Sequence, residues 1–407
     1  MEQKTFNKKY NIPQDLIEKI KFADKEKKST NIVGKPKVLF YEICKRFFKN
    51  PVVLIAFAVF ITLILTGIIV TLTSPYSATG KIFKDGNELT SNLPPLFSPI
   101  VTNADNFITY ERMVAWNNTI SFRPLDQYLS DIKADYDTQL LTYNAYSFWK
   151  ANYIYTHAIS KGSSISASDI QQIVNSMPTL KTYFGTTFKE VDIWTSVWFG
   201  ALSSIKIALI VATIEVVIGV AVGAILGFHA GKWIDTVMMR VIEIFQAPPS
   251  VIWLLLFISA AGTSEGILIL GLLFVGWTWP IRATRMFIIT VKDEEYITAA
   301  KSVGASTTRQ IFLHALPAIL GKIAMNYVRR IPAIILSIAS LAFLGFYNKD
   351  TDINLGKFIN DNIIDSRTNV WLMWLPTLIL LTLSVSLQFI AIGLHDALDP
   401  RVIKVKG

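Results

Sequence analysis

Residues 370–394 read VWLMWLPTLILLTLSVSLQFIAIGL, which is twenty-five consecutive residues without a charge. Two other runs are of the same kind: Val52–Thr71 has twenty uncharged residues and Ile244–Ser264 has twenty-one. A helix needs about 20 apolar residues to cross the roughly 30 Å hydrocarbon core of a membrane. These three runs therefore predict three membrane-spanning helices.

Three further apolar stretches complete the predicted set of spans. They are Ser203–Phe228, Gly266–Ile281 (ended by Arg282 and Arg285) and Ala318–Phe346. The first of them contains Gly219, Gly223 and Gly227, four residues apart. Small residues at this spacing make one helix face smooth, so we expect another membrane helix to approach closely there.

The distribution of charge predicts how the six spans are oriented. Residues 1–50 carry thirteen Lys and Arg against six acids, whereas residues 73–200 carry nine against eleven. Basic residues collect on the cytoplasmic side of membrane proteins. The asymmetry predicts both termini inside, with 1–50 as a cytoplasmic segment, 51–73 as the first transmembrane helix and 74–183 outside the cell. It also makes nucleic-acid binding a poor explanation of the net charge of +9.

The 74–183 segment has no run of membrane length, but it is rich in aromatic residues. That composition favours a small folded domain over a disordered loop, which is the alternative. Ser168 and Gln171 have the spacing of a capping box and predict a helix over Ile170–Ser176.

A polar stretch between the fourth and fifth predicted spans reads EYITAAKSVGA at 295–305 and IFLHALP at 311–317. The paired alanines give a short helix a smooth face, the glycine permits a tight turn, and the proline stops or bends the next helix. A short exposed helix cannot bury its apolar side alone, so the stretch predicts a partner groove. An ordinary connector between spans is the alternative.

The spacing of this stretch resembles the EAA loop of bacterial ABC importer permeases, which docks into an ATPase subunit. The matching positions, in a coupling loop at 290–320, are Glu295, Tyr296, Ala299, Ala300, Gly304, Ile311, His314 and Pro317.

Other segments are similar to the C-type permease of oligopeptide and dipeptide importers. They are the stretch at 185–201, GFHAGKWID at 227–235, LAFLGF at 341–346 and GLHDALDPR at 393–401. The resemblance covers 183–407 and the first span. It implies an all-α protein with six transmembrane helices of the type I ABC importer permease kind, multi-pass in the bacterial cell membrane. On this basis 184–407 is the permease core and 74–183 is an inserted extracytoplasmic domain.

The resemblance also implies a function and an assembly. The function is ATP-driven import of oligopeptides, along a path shared with a homologous B-type permease. Two ATPase subunits, which hold ATP and Mg, and an extracytoplasmic peptide-binding protein are the other expected partners, besides membrane lipid.

Several positions depart from the family pattern. Glu190 and Val191 replace a usual Gly-Arg pair, Thr187 replaces an Asp, and Ile338 stands where a Glu is often found. These changes bear on the substrate more than on the fold. A related importer for nickel, glutathione or another small solute is therefore an alternative.

The sequence contains no GxxxxGK[ST] phosphate-binding loop, so ATP hydrolysis is expected on separate chains and this chain is not expected to be an enzyme. The single cysteine, Cys44, and four scattered histidines predict neither a disulfide nor a metal site. A secondary transporter is a further alternative, but one mid-span acid and no evident repeat argue against it.

Five charged residues lie within predicted spans: Lys206, Glu215, Lys322, Arg329 and Arg330. Glu215, Arg329 and Arg330 are the candidates for the translocation path. Ionised groups at the bilayer centre are costly and mark functional or paired sites. Glu215 is either a translocation-path contact or a carboxyl that is protonated or hydrogen-bonded between helices, the second being favoured. The two arginines lie inside the fifth span if it starts near Ala318, and could meet a peptide carboxylate. If it starts at Ile331, they are interfacial anchors; anchors or subunit-interface pairs are favoured.

Overall fold

The computed structural model describes residues 39–83, 90–162, 165–262, 264–346 and 353–398. In chain order the helices are α1 (Leu39–Lys49), α2 (Pro51–Thr73), α3 (Phe107–Thr119), α4 (Asp126–Leu129), α5 (Ala145–Ser160), α6 (Ala167–Ser176), α7 (Ile193–Phe228), α8 (Trp233–Gln246), α9 (Ser250–Ala261), α10 (Glu265–Gly276), α11 (Thr278–Val291), α12 (Glu295–Ser302), α13 (Thr307–Arg309), α14 (Leu316–Phe343), α15 (Leu355–Asn362) and α16 (Trp371–Leu398). A π-helical turn at Gln310–Ala315 joins α13 to α14, and a 3₁₀ turn lies at Asp365–Arg367. The strands are β1 (Ile100–Asn103), β2 (Lys133–Asp135) and β3 (Leu140–Asn144).

Five helical runs are long and apolar enough to cross a membrane: α2, α7, Glu265–Val291, Thr307–Phe343 and α16. Helices α8 and α9 pass the same test together and would form a sixth span. The prediction of an all-α membrane region with six spans agrees with this count. The fourth span is longer than predicted, because its helix continues past Arg282 and Arg285 to Val291.

The third span, predicted as one helix over Ile244–Ser264, is instead a bent pair of helices. Helices α8 and α9 are bent by 77° with respect to each other. The break falls at Ala247–Pro249, where Pro248 and Pro249 follow each other. Neither proline has an N–H to continue the helical hydrogen bonding, and each disfavours helical geometry in the residue before it. The uncharged run Ile244–Ser264 predicted neither this break nor the earlier start of the pair at Trp233.

The glycines of α7 make the close approach that their spacing predicts. A Cβ at Gly219 would overlap Pro280, one at Gly223 would overlap the backbone of Ile281, and one at Gly227 would overlap Ile288. All three contacts are with α11 or its first turn. Helix α7 thus packs against α11 with backbone almost touching backbone, as small residues allow in membrane helices.

The described part of the 74–183 segment contains the only strands that the structure describes. They form an antiparallel sheet in the order β1-β3-β2, with Ile100 opposite Asn144 and Asp135 opposite Leu140. The helices and strands of the segment share a core around Met113, Leu125, Leu141, Trp149 and Ile154, each of which is at most 2% exposed. Such a core favours a folded segment over a disordered loop. The all-α prediction did not include this small sheet.

Helix α6 in this segment begins three residues earlier than predicted. Its capping box is formed by Ser166 and Asp169 rather than by Ser168 and Gln171. The Ser166 hydroxyl accepts from the N–H of Asp169 at 3.3 Å, and the Asp169 carboxylate accepts from the N–H of Ser166 at 3.1 Å. A capping box was predicted correctly, but the sequence contains two overlapping pairs with the required spacing. The pair Ser166 and Asp169 caps the helix, and the predicted pair does not.

Glu190 connects the 74–183 segment to the spans. It adopts a left-handed backbone conformation (φ 62°) of the kind that glycine, the usual family residue here, adopts freely. Its carboxylate accepts hydrogen bonds from Lys81 at 3.2 Å and from the Thr90 hydroxyl at 3.0 Å. The departure from the family pattern therefore supplies a buried acceptor for the two residues, both of which lie in the 74–183 segment.

Candidate functional site

The short helix α12 lies at the end of the bundle and is held there by one side chain. Ile297 is 2% exposed and packs in a cluster with Ala224, Ile288, Ile311 and Ile319. Glu295 in the first turn and Lys301 in the last turn complement the helix dipole. The α12 helix is thus fixed on one side and open on the others.

The open side of α12 presents the residues predicted to dock. Glu295 and Ala299 are exposed, Tyr296 is 45% exposed, and Ala300 is half-buried. Just beyond the helix, Val303 is 86% exposed. Burial and the nearby Glu294 carboxylate raise the pKa of the Tyr296 phenol, so it remains a neutral hydrogen-bond donor at physiological pH. An aliphatic side chain so exposed beside two alanines leaves apolar surface available to a partner.

Gly304 ends α12 in the way that its position predicts. Its φ is +87°, and the N–H groups of Gly304 and Ala305 donate to the carbonyls of Lys301 and Ala300, both at 3.0 Å. This pair of bonds is a Schellman motif, in which glycine is preferred because its left-handed backbone has no Cβ to strain. The turn therefore holds α12 in a fixed orientation to the helix that follows.

The chain returns to the membrane as one long helical run, Thr307–Phe343. Ile311 is buried, His314 is half-buried, and Pro317 lies in the first turn of α14, directly after the π-helical turn. Of the two effects expected of Pro317, stopping or bending the helix, the first does not occur, because the helical run continues through it. A proline is tolerated in a first turn, and the wider π turn accommodates the hydrogen bond that it cannot make.

Glu215 and Arg330 form a bidentate ion pair between α7 and α14. The Arg330 Nε donates to Glu215 Oε2 at 2.6 Å, and Nη2 donates to Oε1 at 2.9 Å. The Glu215 side chain is fully buried and that of Arg330 is 19% exposed. A Cβ on Gly276 would overlap the Glu215 carboxylate, and the Trp279 ring lies 5.7 Å from the guanidinium. Of the two states favoured for the Glu215 carboxyl, protonated or hydrogen-bonded between helices, the second agrees with this geometry.

Arg329 has different surroundings from its neighbour. It is exposed and lies about 20 Å from either end of α14 at 1.5 Å per residue, so the helix that carries it begins well before Ile331. The exposed positions of one α14 face, at spacings of three, four and seven residues, are Lys322, Arg329, Ala333, Leu336, Ser340 and Phe343. We call this set the polar face of α14 after its polar members Lys322, Arg329 and Ser340; the other three are apolar.

The polar face contrasts with the outer faces of α2 and α16. Neither Pro51–Thr73 nor Trp371–Leu394 contains a charged residue, and their exposed side chains are mostly large and apolar. A charge facing lipid at mid-depth is expensive, so charged groups in spans face protein or water. The polar face therefore belongs on the protein-facing or water-facing side of the bundle.

One ion pair near the coupling loop was missed from the sequence. Arg285 Nη2 donates to Asp235 Oδ2 at 2.7 Å, and its Nε also donates to that carboxylate, which accepts from the N–H of Gly231 at 2.9 Å. The pair ties the start of α8 to α11. Its only sequence signal was that Asp235 falls in a family-like loop and that Arg285, like Arg282, directly follows an apolar run. Among the described residues no group of three or more His, Cys, Asp or Glu is placed to hold a metal ion.

Comparison with known proteins places this arrangement in a family. Residues 219–404 match the model of the binding-protein-dependent transport system inner membrane component. Residues 39–95 match the N-terminal TM domain of oligopeptide transport permease C.

Three full-length relatives are similar along nearly the whole chain. The oligopeptide transport system permease protein OppC of Mycoplasma pneumoniae is 33% identical over 93% of this chain and 94% of its own, and that of Mycoplasma genitalium has the same values. The dipeptide transport system permease protein DppC of Lactococcus lactis is 27% identical over 92% of this chain and 94% of its own. A match over 384 residues is too long to omit the 74–183 segment, so the two Mycoplasma relatives contain a counterpart of it.

The chain therefore belongs to the inner-membrane permeases of binding-protein-dependent ABC transport systems. Within that family it is a permease subunit of the oligopeptide and dipeptide type. This membership excludes the secondary-transporter alternative. Among solved structures, the inward-facing MetNI methionine ABC transporter is similar with a TM-score of 0.41 and 17% identity, over 49% of this chain and 94% of that one.

Proposed function

We propose that this chain imports oligopeptides together with a homologous B-type permease, and that the energy comes from two ATPase subunits docked on α12. An extracytoplasmic binding protein delivers the peptide, and ATP and Mg are held by the ATPases. In this assignment both termini are cytoplasmic and the 74–183 segment is extracytoplasmic. Nickel, glutathione or another small solute as cargo is the second candidate, but the relatives described above carry peptide-permease names.

The geometry of α12 is the observation that carries this proposal. The helix is anchored by Ile297 and exposes Ala299, while Ala300 is half-buried and Val303 is 86% exposed just beyond the helix. A groove on a partner can enclose a short helix with such small side chains. The Schellman turn at Gly304 and the uninterrupted run Thr307–Phe343 connect that helix rigidly to the fifth span. Movement of a docked ATPase would therefore reach the membrane helices.

The polar face of α14 is proposed to line the translocation path. Its charge at mid-depth comes from Arg329, since the adjacent Arg330 is neutralised by Glu215. A peptide carries a terminal carboxylate, and an arginine binds a carboxylate through two parallel hydrogen bonds. Alternating access follows if ATP and peptide favour different states of the two permeases.

The first prediction concerns the source of energy. We expect the purified chain alone to hydrolyse no ATP, because the sequence contains no phosphate-binding loop. Proteoliposomes with both permeases, the ATPases and the binding protein should accumulate labelled oligopeptide when ATP is supplied. ATP hydrolysis that persists after complete removal of the ATPase subunits, or accumulation of nickel or glutathione in place of peptide, contradicts the proposal.

The second prediction concerns Arg329. Arg329→Gln should lower the uptake of peptides with a free carboxyl terminus by about tenfold or more, because a hydrogen bond to a charged group contributes ~1.5–3 kcal/mol. Uptake of the same peptides with an amidated terminus should change much less. Arg329→Lys is the matched control, since it keeps the charge. Equal uptake of free and amidated peptides by wild type and both variants would remove Arg329 from the path.

A further inference from the structure

Five aromatic side chains form a cluster where the 74–183 segment meets the spans. We call Phe97, Tyr183, Phe184, Trp194 and Trp371 the aromatic cap. The Phe184 ring stacks on Trp194 at 5.2 Å and meets Trp371 edge-on at 4.9 Å. Phe97 contacts both Phe184 and Trp371 at 5.8 Å, and Tyr183 lies 6.4 Å from Trp194.

The position of the cap relative to the spans is fixed by its two tryptophans. Trp194 is the second residue of α7 and Trp371 is the first residue of α16. Both spans therefore begin on the same side of the membrane, with the cap at the level of their first turns, and we take that level as the depth where they leave the membrane. Trp and Tyr are enriched at that depth because they combine an apolar ring with a polar group.

The part of the 74–183 segment beside the cap is apolar and exposed. Phe97 is 63% exposed and Ile100 is 68% exposed. This surface continues onto the start of α16, where Val370 is 54% and Trp374 is 60% exposed. The whole stretch 90–103 contains no charged residue.

The backbone of this stretch is also suited to an environment with little water. Pro94, Pro95 and Pro99 have no N–H group to satisfy. The N–H of Leu96 donates to the carbonyl of Tyr183 at 3.2 Å, and that of Ser98 donates to the carbonyl of Pro95 at 2.9 Å. Burying a polar group without a hydrogen bond is costly, and this stretch reduces the number of such groups.

We propose that the stretch 96–100 lies in the headgroup and upper acyl region of the membrane, beside the aromatic cap. The ligand of this surface is lipid, on the side where α7 and α16 begin. Lipid is the occupant that the structure favours, because the surface is continuous with the uncharged outer face of α16. The 74–183 segment thus rests on the membrane at one end of its sheet instead of projecting freely into water.

The test measures the depth of single residues in the assembled transporter in nanodiscs of phosphatidylethanolamine and phosphatidylglycerol. Cys44 is the only cysteine in the sequence, so Cys44→Ser gives a background for spin labels at Phe97→Cys and Ile100→Cys. Tyr136→Cys is the control. It is 64% exposed and lies next to Asp135, at the end of the sheet opposite Ile100, roughly 15 Å away at about 3.4 Å per strand residue.

The expected result is that labels at 97 and 100 collide more often with oxygen, which concentrates in lipid, than with a water-soluble nickel chelate. The label at 136 should show the reverse. Ile100 makes no ring contact in the cap, so its label reports depth even if Phe97→Cys disturbs the packing. A preference for the nickel chelate at both 97 and 100 overturns the proposal. Protection of both from oxygen and nickel also overturns it, because protein would then cover the surface.

Discussion

Replacement of Arg330 by methionine is expected to destabilise the folded chain by about 3–5 kcal/mol, the usual cost of breaking a buried ion pair. The variant keeps an apolar stem of similar length but leaves the fully buried Glu215 carboxylate without its two hydrogen bonds. The Gly276 backbone lies against that carboxylate, so it has little room to move toward another partner. The measurement is the fraction of monodisperse protein that survives heating in detergent, compared with wild type.

The double variant Glu215→Met with Arg330→Met is the matched control. Replacing a whole buried ion pair by apolar residues is often neutral or stabilising, whereas removing one partner is not. The double variant should therefore be more stable than Arg330→Met alone, which gives a large coupling energy in the double-mutant cycle. If the losses of stability caused by Glu215→Met alone and by Arg330→Met alone add up to that of the double variant, there is no coupling. The pair is then not a stabilising contact between α7 and α14.

The membrane architecture was largely predictable from the sequence, because the length of an apolar run must match the bilayer. The spacing of Gly219, Gly223 and Gly227 likewise predicted a close contact, since a smooth face has few other uses in a membrane. The partner of that face was not predictable. It depends on how α11 folds back over α7, which no local pattern encodes.

The structural details that were missed depend on tertiary contacts or on competing local signals. Glu215 and Arg330 are 115 residues apart, and only the packing of α7 on α14 brings them together. The break at Pro248 and Pro249 had a local signal that the uncharged run obscured. The sheet of the 74–183 segment rests on strands of three to five residues, which are too short for a clear alternating pattern.

The candidate site was predictable in part for similar reasons. The docking residues follow a fixed spacing along one short helix, and Gly304 adopts the left-handed conformation that its place at the end of a helix implied. The role of Ile297 was overlooked, although it is the only large aliphatic residue in α12. The sequence shows the polar face of α14 only as isolated charges. The seven-residue spacing of Lys322 and Arg329 was its available signal.

A charge placed at Ala300 in α12 or at Gly304 just beyond it should separate the permease from its ATPases. Ala300→Glu and Gly304→Asp are expected to reduce ATPase co-purification by about tenfold, since a docked charge loses water without gaining a partner and costs ~1–3 kcal/mol. Peptide uptake should fall in parallel. Folding should be preserved, because neither position contributes to the cluster around Ile297.

The controls separate charge from backbone strain. Gly304 has φ +87°, so most replacements there strain the turn, but Asn and Asp both tolerate that conformation. Gly304→Asn and Ala300→Gln therefore match the two test variants in size and backbone preference without the charge. Each charged variant should bind the ATPases more weakly than its neutral match, at equal abundance in the membrane. If charged and neutral variants co-purify with the ATPases as well as wild type and transport peptide equally, α12 is a connector. The ATPases must then dock on another surface of the bundle.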